Sequence, residues 1–378
     1  MLVDTFGCRW TLDVRGLGDD LADSVEHLWE RTRVASGPPA GDDEQAPPFV
    51  VTRGDDGAVR IDGSRRPVAD DDLPYALSRA VTLASIERRT GECLMLHAAG
   101  LAAEDGSTVA LVAASGTGKT TAAAALGTGL GYVSDETVAI EHDLSVRPYA
   151  KPLSVVVDPS RRFVKHERSP DDLGLLRAPA DLRLAATVVM ERDPSLRAPE
   201  LEPLGLVDAV ELTLPQTSAL TRLDRPLDRL ARALTAGHGP WRLRYAEVAE
   251  CADLVAELAS GRAPGGDPGP VPWTWVDGRG LPDPGPGTSA EPEMGAPVRR
   301  ARFDEAVVAD GVVLVLRDRV PVTLPGLAAT VWLRSEHPAP LDELVAAAIA
   351  ELGPHPDARQ LVVATVRELR DAGLVVLG

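Results

Sequence analysis

A buried strand that runs straight into a glycine-rich turn and then into a helix constrains this chain more than any other stretch. Thr108-Val109-Ala110-Leu111-Val112-Ala113 is an apolar run, followed by Ala114-Ser115-Gly116-Thr117-Gly118-Lys119-Thr120-Thr121 and an Ala-rich helical run over 121–126. Gly116 and Gly118 let successive backbone N–H groups curl around an anion where a side chain would collide. The helix N-terminus adds its partial positive charge. The spacing therefore predicts a phosphate-binding loop on the end of a sheet strand. Ser115, Gly116, Thr117, Gly118, Lys119, Thr120 and Thr121 are the expected nucleotide-binding residues. In such a loop the lysine reaches the β- and γ-phosphates and the hydroxyl after it ligates a metal, so Lys119 and Thr120 take those roles with ATP and Mg²⁺ as expected cofactors. The full pattern asks for Gly at 113. This chain has Ala113, which is tolerable at negative φ.

A second constellation follows the helix. Gly131-Tyr132-Val133-Ser134-Asp135-Glu136-Thr137-Val138-Ala139-Ile140 places two acids at the end of a short strand. A carboxylate there can hold Mg²⁺ through water or take a proton from an attacking hydroxyl. An acidic turn is common on any surface. Its position one helix after the phosphate loop is what gives it weight.

The rest of the chain bounds the answer. At 378 residues, two or three domains are expected at roughly 100–200 residues each. A net charge of −18 argues against nucleic-acid or anionic-membrane partners, both of which need a basic face. Cys8, Cys93 and Cys251 are widely spaced and form no metal-ligand pattern. The N-terminus lacks a basic region followed by an apolar run, and no stretch approaches the roughly 20 apolar residues of a membrane span. A cytoplasmic protein is expected.

Two breaks divide the chain. Residues 36–48 are a polar Pro/Gly stretch, and residues 261–298 hold nine Gly and nine Pro among 38 positions, which reads as a linker containing Trp273 and Trp275. Residues 1–90 read as a small α/β module: an extended 5–15, a helix over 19–33, a hairpin from 49–52 and 59–61, and a helix over 73–89. Residues 91–260 form the nucleotide-binding domain, with apolar runs at 94–96, 98–103, 108–113, 153–157 and 186–190. They suggest a mainly β sheet with helices rather than regular βαβ alternation.

Leu96-His97-Ala98-Ala99-Gly100-Leu101, the phosphate loop, GYVSDETVAI and Arg147-Pro148-Tyr149-Ala150-Lys151-Pro152-Leu153-Ser154 together resemble the HPr kinase/phosphorylase superfamily. Within it they look like the HPr-kinase-related proteins found among peptide-modifying gene clusters. The resemblance covers about 91–260 and is densest over 96–154. It implies an α/β (α+β) fold shared with phosphoenolpyruvate carboxykinase. It also implies that Asp135 deprotonates the acceptor hydroxyl, that Glu136 stands near Mg²⁺, and that His97 orients Asp135. A satisfied core histidine is the other reading of His97. Lys151 either steadies a phosphate or is a solvated surface lysine. The late Gln216-Thr217-Ser218 segment receives no role. Thr121 stands where the bacterial HPr kinases carry Glu, Glu136 replaces a second Asp, and that family's Gly-rich signature after the acidic pair is missing. Neither HPr as substrate nor phosphorolysis is therefore expected.

The tail, 299–378, reads as strands at 307–308, 312–316 and 320–324, with turns at Asp310-Gly311 and Asp318. Helices follow near 326–335, 341–352 and 357–372, then a terminal strand at 374–377. That order is a winged helix. Its nine Lys/Arg against eleven Asp/Glu lack the electrostatic footprint of a DNA reader. The segment resembles the PqqD family of peptide-recognition elements through its DGVVLVL strand, GLAATVW and LDELV helices, and closing LRDAGLV. The resemblance implies a leader peptide added as a strand along Arg319–Leu324 and packed on Gln360–Arg370; Arg319, Arg367 and Arg370 either meet acidic leader residues there or are ordinary surface arginines.

Taken together these readings point to an ATP-dependent kinase acting on a Ser or Thr hydroxyl of a ribosomally made precursor peptide. Two alternatives stand beside it: a small-molecule hydroxyl kinase, and a nucleotide-gated peptide-presenting protein without kinase activity. A homo-oligomer is left open.

Overall fold

The chain begins with a tight hairpin, β1 (Leu2–Thr5) against β2 (Cys8–Gly16), in which Thr5 pairs with Cys8 across a two-residue turn. Phe6 and Gly7 both hold positive φ (39° and 92°), the geometry whose twist matches the flanking strands. The computed structural model describes residues 1–34, 48–62, 66–114, 116–156, 165–263, 269–281 and 296–378. Ser115, most of the 36–48 stretch, and 264–268 and 282–295 of the expected linker lie outside the described residues. The described residues form a mixed α/β fold with several sheets, in two compact units: Met1–Leu204 with Ala209–Pro270, and Gly205–Asp208 with Val271–Gly378.

In the first unit, helix α1 (Asp19–Leu28) buries Val25 and Leu28, and β3 (Phe49–Arg53) and β4 (Val59–Ile61) complete a four-stranded sheet in the order β1-β2-β3-β4. Helix α2 (Leu73–Arg88) presents Leu73, Leu77 and Val81, at intervals of four, to that sheet's core. The same core takes in Met95, Ala139 and Tyr149, so apolar packing runs without a break across the boundary expected at residue 90. Buried hydroxyls stitch it further: Thr82 Oγ1 lies 2.6 Å from the Tyr149 hydroxyl.

Strands β5 (Leu94–Leu96), β6 (Ala98–Ala102) and β7 (Ser107–Val112) lead into helix α3 (Lys119–Leu126). Then come β8 (Gly131–Ser134), β9 (Val138–Ile140), β10 (Val146–Arg147), β11 (Leu153–Val156), β12 (Lys165–Arg168), β13 (Leu176–Arg177), β14 (Arg183–Arg192) and β15 (Glu200–Pro203). Helix α4 (Leu206–Thr213), β16 (Thr217–Ser218), α5 (Pro226–Leu234), β17 (Trp241–Tyr245) and α6 (Ala252–Ala259) follow. Seven of these strands form a mixed sheet in the order β13-β8-β6-β7-β14-β17-β15, with β7, β14 and β17 parallel at its centre. A second sheet, β10-β9-β5-β16, is antiparallel throughout. The connection β5 to β6 passes from this sheet to the seven-stranded one through a single residue, His97. The connection β8 to β9 passes back through Asp135, Glu136 and Thr137. A hydrogen bond from Ala98 N to Glu136 O (3.2 Å) holds the two crossings together.

In the second unit, β18 (Thr274–Asp277) precedes β19 (Val298–Arg300), β20 (Glu305–Ala309), β21 (Val312–Arg317), β22 (Val320–Leu324), the helices α7 (Gly326–Arg334), α8 (Leu341–Leu352) and α9 (Ala358–Asp371), and β23 (Val375–Leu377). The sheet order is β18-β20-β21-β22, with β19 pairing β23. Asp310-Gly311 and Asp318-Arg319 make two-residue turns with both φ positive, matching the turn residues read from the sequence. Strand β18 arises inside the Pro/Gly-rich stretch, where Trp275 donates its indole N–H to Oε2 of the buried Glu305 at 2.6 Å. Among the described residues no helix is long and apolar enough to cross a membrane.

Candidate active site

Strand β7 is the middle strand of seven, and its buried Val109 and Leu111, with buried Ala113 just after it, anchor the loop that follows. Gly116 and Gly118 hold φ of 81° and 105°, a region that L side chains adopt only under strain, while Ala113 is not among the residues of positive φ. A Cβ added at Gly116 would meet nothing within 4 Å, so the loop is open on that side. Helix α3 begins at Lys119 rather than at 121, and its first-turn N–H groups have no intrahelical acceptors. A cradle of glycines at positive φ, a helix N-terminus and a lysine in the first turn fit a polyphosphate.

The Lys119 ammonium turns back to donate to the carbonyls of Ala113 (2.7 Å) and Ala114 (3.3 Å). Burial lowers its pKa to about 8, against the opposing pull of Asp135. Tyr245, at the end of β17, donates to the Thr117 carbonyl at 3.4 Å and braces the loop from the neighbouring part of the sheet. Thr121 follows Thr120 in the first turn of α3 and is exposed.

The acids lie where β8 leaves the sheet. Asp135 is 4% exposed. Its Oδ2 accepts from Thr120 Oγ1 at 2.9 Å. Its Oδ1 lies 3.0 Å from Lys151 Nζ and accepts from the Tyr132 hydroxyl at 3.1 Å. The single Tyr132 proton is shared with the Lys151 carbonyl, also at 3.1 Å. Glu136, expected beside the metal, places its Oε2 3.3 Å from Lys151 Nζ. Ser134 shapes the turn by accepting from the backbone N–H of Glu136 and Thr137 at 3.2 and 3.1 Å.

Lys151 is 1% exposed, which answers the question left open by its sequence: it is a core cation. Burial works to lower its pKa, but Asp135, Glu136 and Glu167 outweigh that and hold it well above the ordinary value. Glu167, on β12, accepts from Ser154 and leaves its second oxygen without a hydrogen-bond partner. Burial raises its pKa to about 7.

His97 sits at the crossing from β5 to β6, its N–H donating to the Gln216 carbonyl at 2.7 Å. Burial, and then the charge of Lys119, lowers its pKa and so favours the uncharged ring. The structure thus draws Lys119, Thr120, Asp135 and Glu136 into one cluster, with His97 close enough for their charges to act on it. Tyr132 and Tyr245 carry no sequence signal of this role, because an apolar strand predicts burial and not what a buried polar tip will meet; Glu167 carries none because it stands in the charged strand Lys165–Arg168. Among the described residues no group of three or more His, Cys, Asp and Glu could hold a metal, so an ion here would rely on Thr120, Asp135, phosphate and water oxygens.

No family model matches the chain, and a comparison with curated proteins finds no match either. Among solved structures the chain is similar to the Hpr(Ser) kinase/phosphatase from Coxiella burnetii, at 14% identity and a TM-score of 0.21, covering 29% of this chain and 72% of that one. An overlap that slight leaves the reading of the site to its own geometry.

Proposed function

We propose that this chain is an ATP- and Mg²⁺-dependent kinase that phosphorylates a Ser or Thr hydroxyl of a ribosomally made precursor peptide. The observation that carries the proposal is the hydrogen bond from Thr120 to Asp135 at 2.9 Å, which sets a carboxylate at the phosphate end of α3. In this reading Gly116 to Thr121 and the α3 N-terminus hold the triphosphate, and Lys119 swings from its loop carbonyls to the β- and γ-phosphates. Thr120 would hold Mg²⁺, with Asp135 reaching it through water, and the ion would screen the charge of the transferring group. The acceptor hydroxyl oxygen bonds to the γ-phosphorus as the bond to ADP breaks, and Asp135 takes the hydroxyl proton. His97, at the crossing beside the acids, orients Asp135.

The second unit supplies the peptide. Strand β22 lies at the edge of its sheet, with Val320 58% exposed, and α9 exposes Leu361 at 44%. An extended leader added beside β22 would gain backbone hydrogen bonds and apolar pockets on Gln360–Arg370. Carrying the leader site and the catalytic site in one chain raises the local concentration of the core peptide. The test is incubation with Mg-ATP and a precursor peptide, followed by mass spectrometry. One added phosphate on a Ser or Thr, dependent on the leader, is expected; ATP loss without peptide gain would overturn the reading.

A further inference from the structure

The Lys151 ammonium has three N–H donors and three oxygens around it: Asp135 Oδ1 at 3.0 Å, Glu136 Oε2 at 3.3 Å and the Pro152 carbonyl at 2.9 Å. It is therefore buried, hydrogen-bonded to the Pro152 carbonyl and ion-paired with both acids that follow the phosphate-loop helix. Oδ1 of Asp135 is engaged twice, by the hydrogen bond from Tyr132 and by the ion pair with Lys151. Only Oδ2, which meets Thr120, faces the phosphate loop. A cation between paired carboxylates is the position a second divalent ion takes in two-metal phosphoryl-transfer sites. Here a side chain of the protein already stands in it.

We propose that Lys151 is a fixed internal cation that replaces a second metal ion, so that this site takes one divalent ion with its nucleotide and works through Oδ2 of Asp135 alone. The inference rests on the kinase reading above for the identity of the nucleotide. Lys151 and Tyr132 are then positioning residues: they fix the rotation of the Asp135 carboxylate and absorb the charge of Glu136. Glu136, whose side chain is 39% exposed, serves as a partner of Lys151 and not as a metal ligand.

Metal counting tests this without any turnover. Mn²⁺ is titrated into the full chain saturated with a non-hydrolysable ATP analogue, and bound ion is counted from loss of the free Mn²⁺ electron-spin-resonance signal. One Mn²⁺ per chain is expected; two in the unaltered protein overturns the proposal. Lys151→Met is expected to admit a second Mn²⁺ between the freed carboxylates. That variant strips the counter-charge from a buried acid and can unfold the chain, so Glu136→Gln provides an independent arm. It is expected to keep one Mn²⁺ with affinity within threefold, and a loss of more than tenfold would make Glu136 a ligand and overturn the assignment. Absence of phosphate on the precursor peptide would defeat the kinase reading and leave this metal count untouched.

Discussion

Thr120 Oγ1 donates a 2.9 Å hydrogen bond to Asp135 Oδ2, joining the first turn of α3 to the end of the strand that follows it. The bond is possible because β8 runs beside β6, the strand next to β7, so the chain leaves β7, crosses by α3 and returns to the same end of the sheet. It brings the glycine-rich loop and the acidic turn within one hydrogen bond of each other.

Replacing that carboxylate should separate binding from chemistry. Asp135→Asn keeps an acceptor for Thr120 but cannot take a proton, and general-base removal costs roughly 10²–10⁴-fold. Peptide phosphorylation is expected to fall by at least ~100-fold while affinity for a fluorescent ATP analogue stays within about threefold. An unchanged turnover rate removes Asp135 from the mechanism.

Lys119→Met should act on binding as well. A charged hydrogen bond to phosphate contributes about 1.5–3 kcal/mol, so calorimetry is expected to show a 10–100-fold weaker nucleotide.

Glu167 gives the site a pH-dependent stability. Burial raises its pKa from 4.5 to about 7, so the folded chain holds this proton more tightly than the unfolded one. The stabilisation is complete below about 4.5 and is lost as pH rises through about 7. Glu167→Gln should therefore gain stability over the unaltered protein at pH 8, by on the order of 2 kcal/mol, and almost none at pH 4. Urea midpoints at the two pH values measure it, and an equal shift at both excludes the titration.

The shared core predicts coupling between the first 90 residues and the site. Leu77 is fully buried in a cluster that also holds Met95, Ala139 and Tyr149. Leu77→Ala should cost about 2–5 kcal/mol, with nucleotide binding and the far-ultraviolet signal lost in one transition. Two separate transitions would show that residues 1–90 fold on their own.

On the second unit, Val320→Asp puts a charge on the exposed edge of β22 where an acidic leader would lie. About a tenfold loss of leader affinity is expected by fluorescence anisotropy, with nucleotide affinity unchanged. Equal leader binding would move the peptide elsewhere.

The glycine turn between β7 and α3, the hairpin turns at Asp310-Gly311 and Asp318, and the helices over 326–334, 341–352 and 358–371 were all legible from residues that are neighbours in the chain. Left-handed backbone, helical periodicity and a lysine after Gly are conditions satisfied within a few positions, so the sequence alone determined them. Strand β18 was hidden by the prolines and glycines around it, and only Trp273 and Trp275 hinted that part of that stretch packs. What the tertiary structure alone decided is the company of Asp135. Lys151, read from its neighbours, was equally a surface lysine. It becomes the buried partner of two carboxylates because β8 and β9 switch sheets at Asp135–Thr137 and the chain returns past Tyr149 to lay residue 151 against them. A buried charge requires a counter-charge at contact distance, and contact distance is set by how strands cross between sheets, which no local pattern of residues encodes.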